Sequence, residues 1–98
     1  MLIYVDIDGT ICKAPSSRST YLDAVPIQEN IGKINKLYDE GNTIVYWTGR
    51  GNSTGIDWSA ITEIQLKVWK CKYHQLIMKQ KPAFDLLIDD KAKRIEEI

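Results

Sequence analysis

The fold is decided by residues 2–10, which read Leu2-Ile3-Tyr4-Val5-Asp6-Ile7-Asp8-Gly9-Thr10. The first four of these residues are apolar and partly β-branched, and the chain then turns polar, which is the pattern of a buried strand that feeds a loop. Asp6 and Asp8 therefore follow directly on the predicted strand, at its carboxyl end. Ligands of open α/β sheets bind at this end of the strands, so the ends of the other strands are candidate positions for the rest of a site.

The remainder of the chain alternates between helical and extended patterns. Residues 11–26 show no steady period and predict a loop or flap, after which apolar residues at helical spacing predict a helix from Ile27 to just before Gly41. Further strands are predicted at 43–48, 74–78 and 84–88, with a helix over 58–71 and a short charged helix after Asp90. This alternation indicates one domain over residues 1–98, an α/β fold with a three-layer, Rossmann-like parallel sheet and right-handed crossovers.

The polar residues at the strand ends predict a phosphate site. Thr48 ends the second strand, Asp89 and Asp90 end the fourth, and Lys81 precedes the fourth. Neighbouring carboxylates repel one another unless a cation lies between them, and magnesium fits because it prefers oxygen ligands and needs few protein carboxylates. Lys81 adds a positive charge, Thr48 a hydroxyl donor, and Gly9 a sharp turn that lets amide groups face a phosphate.

Each of these features also has a purely structural explanation. An Asp-x-Asp pair is commonly a solvated turn, and a strand-end threonine can bond its own loop. Lys81 could be a surface lysine before a proline, and Asp89-Asp90 could cap the last helix. The functional interpretation is favoured because the polar residues follow the carboxyl ends of the strands in every segment except that of Lys81, and because the structural explanations would all have to coincide.

The four segments together resemble the haloacid dehalogenase (HAD) superfamily of phosphatases. Its motifs correspond in this chain to Val5-Asp6-Ile7-Asp8-Gly9-Thr10, Val45-Tyr46-Trp47-Thr48, Lys81 and Leu86-Leu87-Ile88-Asp89-Asp90. The runs Thr48-Gly49-Arg50-Gly51, Gly55-Ile56-Asp57-Trp58, Gln65-Leu66 and Ile88-Asp89-Asp90-Lys91 further resemble the short capsule-biosynthesis phosphatases of that superfamily. The family favours glycine directly before the motif lysine, whereas this chain has Gln80. The loop before Lys81 is therefore expected to differ in local geometry from that of the family.

The resemblance implies a role for each matching residue. Asp6 would be the nucleophile and a metal ligand, Asp8 the general acid and base whose backbone carbonyl also binds metal, Asp89 a metal ligand, and Asp90 a ligand through water. Thr48 and Lys81 would complete the catalytic set, and the residues expected to contact substrate are Gly9, Thr10, Gly49 and Arg50. The implied protein is a capless, Mg²⁺-dependent phosphomonoesterase that forms an aspartyl phosphate and acts on a sugar phosphate or similar metabolite.

Two other functions remain open at this stage. An open crevice could admit the phosphorylated end of a nucleic acid, although 13 basic and 13 acidic residues leave no positive field to attract one. A receiver-like, non-enzymatic phosphoacceptor domain also combines acidic residues with magnesium, threonine and lysine, but its acceptor would lie near mid-chain rather than at Asp6.

Composition bears on partners and on location. The opening apolar run is too short for a membrane span, and Cys12 and Cys71 form no metal-binding or disulfide pattern, so we expect a cytoplasmic protein without a membrane partner. A homo-oligomer is one expectation, in which flap residues or an apolar stripe on the second helix close a neighbour's site: Lys13, Arg18, Tyr21, Trp58, Leu66 and Trp69. The alternative is a monomer whose aromatic residues cover its own sheet.

Overall fold

The computed structural model describes residues 1–13 and 20–98. Its strands are β1 (Leu2–Val5), β2 (Cys12–Lys13), β3 (Val25–Pro26), β4 (Thr43–Thr48) and β5 (Gln75–Met78). Its helices are α1 (Gln28–Asp39) and α2 (Ser59–Val68), with 3-10 turns at Tyr21–Asp23 and Ile95–Glu97. The predicted strands at 2–5 and 43–48 and the two predicted helices are therefore confirmed, with α2 shorter than predicted at both ends.

The main sheet has three parallel strands in the order β1-β4-β5. The register aligns Val5 with Tyr46 and Thr48 with Met78, so the carboxyl ends of all three strands reach the same edge. Each pair of neighbouring strands is joined through one helix, as in other parallel sheets. The result is a small α/β protein whose arrangement is compatible with a Rossmann-like core.

Both helices pack on the same face of this sheet. Ile31 and Ile34 of α1 and Leu66 of α2 belong to one buried cluster together with Ile44 and Tyr46 of β4. Alternate residues of a strand point to opposite faces, so the other face carries residues such as Tyr4 and Trp47, whose rings meet edge to face at 5.9 Å. Within residues 1–13 and 20–98 no α-helix covers that second face.

The fourth predicted strand is not formed. Residues 84–88 have no partner strand, and Leu86 and Ile88 are 75% and 88% exposed. An apolar run becomes a strand only where its backbone joins a ladder. Among the described residues none pairs with the outer edge of β1, although the segment lines the groove beside that strand. The predicted terminal helix is likewise reduced to the single turn at Ile95–Glu97. A groove of about 1140 Å³ separates β1 from this last segment of the chain.

The predicted flap leaves and rejoins the domain through a pair of short strands. β2 pairs antiparallel with β3, and the backbone N–H of Ile27 donates to the carbonyl of Ile11 at 2.8 Å. Residues 14–19 between them, including Arg18, lie outside the described part of the chain. Both ends of the flap are thus fixed next to the loop that carries Asp6 and Asp8.

The expected partner surface on α2 is wrong for two of its residues. Leu66 and Trp69 are buried in the core of the chain itself, because they face the sheet, so they cannot form the partner surface considered above. On α2 the exposed apolar residues are instead Ile64 and Val68. Over residues 1–13 and 20–98, no helix is both long and apolar enough to cross a bilayer.

Candidate active site

Asp6 and Lys81 form the centre of the candidate site. Asp6 follows β1, and its Oδ1 accepts a hydrogen bond of 2.8 Å from the backbone N–H of Ile7. Lys81 Nζ lies 2.7 Å from the same oxygen, while 42% of the Asp6 side chain remains exposed to solvent. The carboxylate is therefore oriented by two donors and still open on the side that faces the groove.

Lys81 is held rather than free in solvent. Only 14% of its side chain is exposed, and Nζ lies 5.2 Å from the ring centroid of Trp47 and 5.9 Å from that of Phe84. The side-chain amide of Asn52 donates a hydrogen bond to the Lys81 carbonyl. Both contacts bias the ammonium towards Asp6, which is not the environment of an ordinary surface lysine.

Asp8 is bound to a different cation. The Nε and Nη2 atoms of Arg50 donate to Asp8 Oδ2 and Oδ1 at 3.0 and 2.9 Å, a bidentate pair. The thiol of Cys12 lies 3.5 Å from Asp8 Oδ1. Two carboxylates separated by one residue therefore have separate cations, Lys81 for Asp6 and Arg50 for Asp8.

The loop after Asp8 is tightly bonded to itself. Gly9 has φ +85°, a conformation that favours glycine, and its N–H donates to the carbonyl of Cys12 at 2.9 Å. The N–H of Thr10 donates to the carbonyl of Ile7 at 3.1 Å. The predicted turn at Gly9 is present, but the amides of Gly9 and Thr10 already have partners, so in this structure they are not offered to a phosphate.

Thr48 and its neighbours lie where β4 ends. Thr48 is buried, and its Oγ1 accepts the backbone N–H of Arg50 at 3.2 Å. A side chain added at Gly49 would meet Asn52 at 3.4 Å and the Lys81 carbonyl at 3.9 Å, so this backbone runs close to the Lys81 segment. Thr48 therefore stabilises the loop that follows β4, and its hydroxyl is buried in this structure.

The predicted contact of Arg50 with substrate is not what the structure shows. The Arg50 side chain is fully buried, because its guanidinium is drawn inward to Asp8 and to polar atoms of α2. A buried arginine is stable only where its N–H groups are paired. Arg50 consequently contacts Asp8 and does not line the groove.

The acidic pair at the end of the chain is only loosely connected with Asp6. Asp89 lines the same groove as Asp6, and both Asp89 and Asp90 are exposed. Hydrogen bonds with the Asp90 side chain and with the backbone N–H of Lys91 hold the pKa of Asp89 below its usual range. Across the described ranges 1–13 and 20–98, no three acidic, histidine or cysteine side chains gather into a cluster that could hold a metal ion.

Several residues of the site were not found from the sequence. Cys12, Thr62 and Asn52 were not predicted to contact the site, and Gln65 entered only through the family resemblance. The sequence carries one signal for Thr62 and Gln65. Both are polar residues on the face of α2 that otherwise packs on the sheet, and a polar residue on such a face needs a buried partner. No comparable signal identifies Asn52, because an asparagine in a glycine-rich turn is common.

Cys12 is not a candidate nucleophile in spite of its position. Burial, followed by the nearby Asp8 carboxylate, raises the pKa of the Cys12 thiol to about 12. Burial likewise raises the pKa of Cys71 to about 11. Thiols with such values stay protonated at neutral pH and are poor nucleophiles.

Comparisons with known proteins bear on the fold. No family model matches the chain, and no curated protein matches it. A crystal structure of an MCSG target protein from Vibrio cholerae is similar over 98% of this chain and 85% of that protein, with a TM-score of 0.84 and 24% sequence identity. At this identity the similarity shows the fold alone, a small α/β domain with a parallel sheet.

Proposed function

We propose that this chain is a capless phosphomonoesterase of the HAD type that works through an aspartyl phosphate formed on Asp6. The observation that carries the proposal is the contact of 2.7 Å between Lys81 Nζ and Asp6 Oδ1, beside a second carboxylate, Asp8, that has its own cation. A nucleophilic carboxylate, a cation for the phosphoryl group and a nearby acid and base are the components that this chemistry requires.

The proposed reaction has two steps. In the first, an Asp6 carboxylate oxygen forms a bond to phosphorus, the bond from phosphorus to the leaving oxygen breaks, and Asp8 gives its proton to that oxygen. In the second, a water oxygen attacks phosphorus, the bond to Asp6 breaks with its electron pair returning to the carboxylate, and Asp8 takes the proton of the water. Lys81 offsets the negative charge of the transferred group in both steps.

Magnesium is the cofactor that we propose. Its ligands would be the carboxylates of Asp6 and Asp89, the backbone carbonyl of Asp8, and Asp90 through water. The donors fit in kind, because Mg²⁺ needs only one or two carboxylates beside waters and a phosphate oxygen, and Asp6 and Asp89 line one groove. Bound there, the ion would neutralise negative charge on the phosphoryl oxygens.

The proposed substrate is a small phosphorylated metabolite, with sugar phosphates as the first class to test. This choice rests on the resemblance to capsule-biosynthesis phosphatases and on the balanced charge of the chain, which gives no long-range attraction for a nucleic acid. The open groove beside Asp6 suits a ligand that need not be enclosed by a cap.

The test is a screen of sugar phosphates, nucleotides and 3′-phosphorylated oligonucleotides in the presence of magnesium, run on the unaltered protein, on Asp6→Asn and on Asp39→Asn. Asp39 is the matched control, because it is also an aspartate paired to a lysine, Lys72, but lies on the surface at the end of α1. We expect turnover of a sugar phosphate that Asp6→Asn abolishes and Asp39→Asn leaves unchanged.

Three outcomes would contradict the proposal. Equal turnover by the Asp6→Asn and unaltered proteins would remove Asp6 from the mechanism. Turnover of the oligonucleotides alone would favour a nucleic-acid end phosphatase. A stable phosphoprotein that releases no phosphate would favour the receiver-like function.

A further inference from the structure

Arg50 lies at the centre of a buried polar cluster, called here the Arg50 cluster. Its guanidinium binds both oxygens of Asp8, and Nη1 donates to Thr62 Oγ1 at 3.1 Å and to Gln65 Oε1 at 2.5 Å. The guanidinium carbon lies 4.7 Å from the ring centroid of Tyr21. Thr62 and Gln65 therefore hold the arginine from α2 while Tyr21 covers it from the flap side.

Gln65 also joins the flap to the same cluster. While its Oε1 accepts from Arg50, its Nε2 donates to the carbonyl of Tyr21 at 2.7 Å. The Tyr21 ring in turn meets the ring of Trp58 edge to face, with centroids 5.1 Å apart. One side chain thus links the flap, α2 and the arginine that holds Asp8.

A buried arginine with this set of partners has a fixed orientation. The planar guanidinium donates in two directions at once, to Asp8 and to the two α2 oxygens, which a lysine ammonium of smaller span cannot reproduce. The Asp8 side chain keeps 22% exposure, so the carboxylate is not closed off from solvent. The Arg50 cluster therefore fixes the orientation of the Asp8 carboxylate.

We infer that Arg50 and Gln65 are positioning residues for Asp8. The turn at Tyr21–Asp23 covers the Arg50 guanidinium on the side of the flap. The inference rests on the proposed function, because it concerns the proton transfers assigned to Asp8. Arg50 touches neither substrate nor phosphorus and acts through the carboxylate that it holds. Small displacements of a catalytic group lower the rate steeply even when the group is retained.

The inference distinguishes between the two chemical steps. With p-nitrophenyl phosphate the leaving group needs little protonation, so transfer to Asp6 should remain rapid in a variant with a misplaced Asp8. Hydrolysis of the aspartyl phosphate still requires Asp8 to take a proton from water. A variant of the Arg50 cluster should therefore accumulate phosphorylated Asp6, which a general loss of structure would not cause.

The experiment compares Arg50→Lys and Gln65→Met with the unaltered protein and with Gln28→Met as a control, since Gln28 is exposed at the start of α1. We expect kcat of Arg50→Lys for p-nitrophenyl phosphate to fall by about 100-fold, because general acid and base catalysis contributes effects of this order. KM should fall with kcat, so that kcat/KM, which reports the transfer to Asp6, changes by less than about threefold. Gln65→Met should show a smaller fall in the same direction. Both variants should give a rapid burst of p-nitrophenol and a trapped phosphoenzyme.

The outcomes separate this inference from the proposed function. Loss of turnover without a burst, in folded Arg50→Lys and Gln65→Met alike, would overturn the positioning role while leaving Asp6 as the nucleophile. Unchanged kcat in both variants would also overturn it. If Arg50→Lys does not fold, Gln65→Met alone decides. Absence of phosphatase activity and phosphoenzyme in the unaltered protein would instead remove the proposed function, and this inference with it.

Discussion

Lys81 Nζ and Asp6 Oδ1 lie 2.7 Å apart, although one residue follows β1 and the other follows β5 at the far side of the sheet. The chain contains a second lysine-aspartate pair, Lys72 with Asp39, at 2.8 Å. About half of each side chain in that second pair is exposed, whereas Lys81 is largely enclosed by the rings of Trp47 and Phe84. Similar distances thus occur in different environments, and Lys81 of the partly enclosed pair is the cation that we propose for the phosphoryl group.

Replacement of Lys81 and replacement of Lys72 should have different effects on activity. We expect Lys81→Ala to lower kcat/KM by about 100-fold or more, because it removes a preorganised cation from the charge that develops on phosphorus. Lys72→Ala should leave kcat/KM unchanged, since it breaks an exposed pair. Steady-state kinetics on one sugar phosphate checks both, and equal effects of the two substitutions would contradict the assigned role of Lys81.

Removal of the metal by a chelator should abolish phosphatase activity, and added magnesium should restore it.

Asp89→Asn is expected to raise the magnesium concentration needed for half-maximal rate by about tenfold, because loss of one carboxylate weakens a site that has few of them. Asp85→Asn is the matched control, an exposed aspartate in the same segment that does not line the groove. Calcium should inhibit, since its larger and looser shell misplaces oxygen ligands. Full activity in excess chelator would exclude a metal.

The two thiols should make the stability of the fold depend on alkaline pH. Burial raises the pKa of Cys12 to about 12 and that of Cys71 to about 11, whereas an unfolded thiol titrates at about 8.5. Because both folded-state values are raised, this contribution to stability is fully present below about pH 8.5. It decreases above that pH, where only the unfolded thiols ionise, and is lost once the pH has risen through 11 and 12. Urea unfolding at pH 7.5 and pH 10 measures the decrease.

The raised pKa values of Cys12 and Cys71 should also slow the reaction of these thiols with a thiol reagent. At pH 9 we expect a thiol reagent to modify the native protein at least about tenfold more slowly than the urea-unfolded chain, since the thiolate is the reactive form. Cys12→Ser and Cys71→Ser assign the remaining reactivity to one position or the other. Rapid modification of native Cys12 at pH 7.5 would contradict its burial beside Asp8.

Assembly remains a prediction that dilution can test. If a neighbouring subunit closes the groove, specific activity should fall as light scattering reports dissociation, and Val68→Lys should have the same effect, because Val68 is exposed and apolar on α2. Lys67→Ala, the neighbouring exposed position, is the control. A monomer with constant specific activity at every concentration would rule out a shared site.

The elements that the sequence predicts correctly have local causes. β4 is a run of β-branched and aromatic residues, and α1 ends where Gly41 adopts φ +96° and bonds back to Tyr38. Residues 84–88 look equally strand-like as a sequence, yet they remain outside the sheet. A strand needs a partner backbone, so its formation depends on contacts that a local pattern does not contain.

What the sequence determined by itself is the alternation of β1, α1, β4, α2 and β5 and the position of Asp6 and Asp8 at the carboxyl end of a strand in a parallel sheet. That much follows from periodicity and from the crossover rule, which are local or nearly local properties. The tertiary structure alone decided that Arg50 turns inward to Asp8 instead of outward to the groove, with Thr62 and Gln65 as its other partners. The physical reason is that an arginine can be buried only where several distant acceptors converge on it, and that convergence exists only once α2 has packed against the sheet.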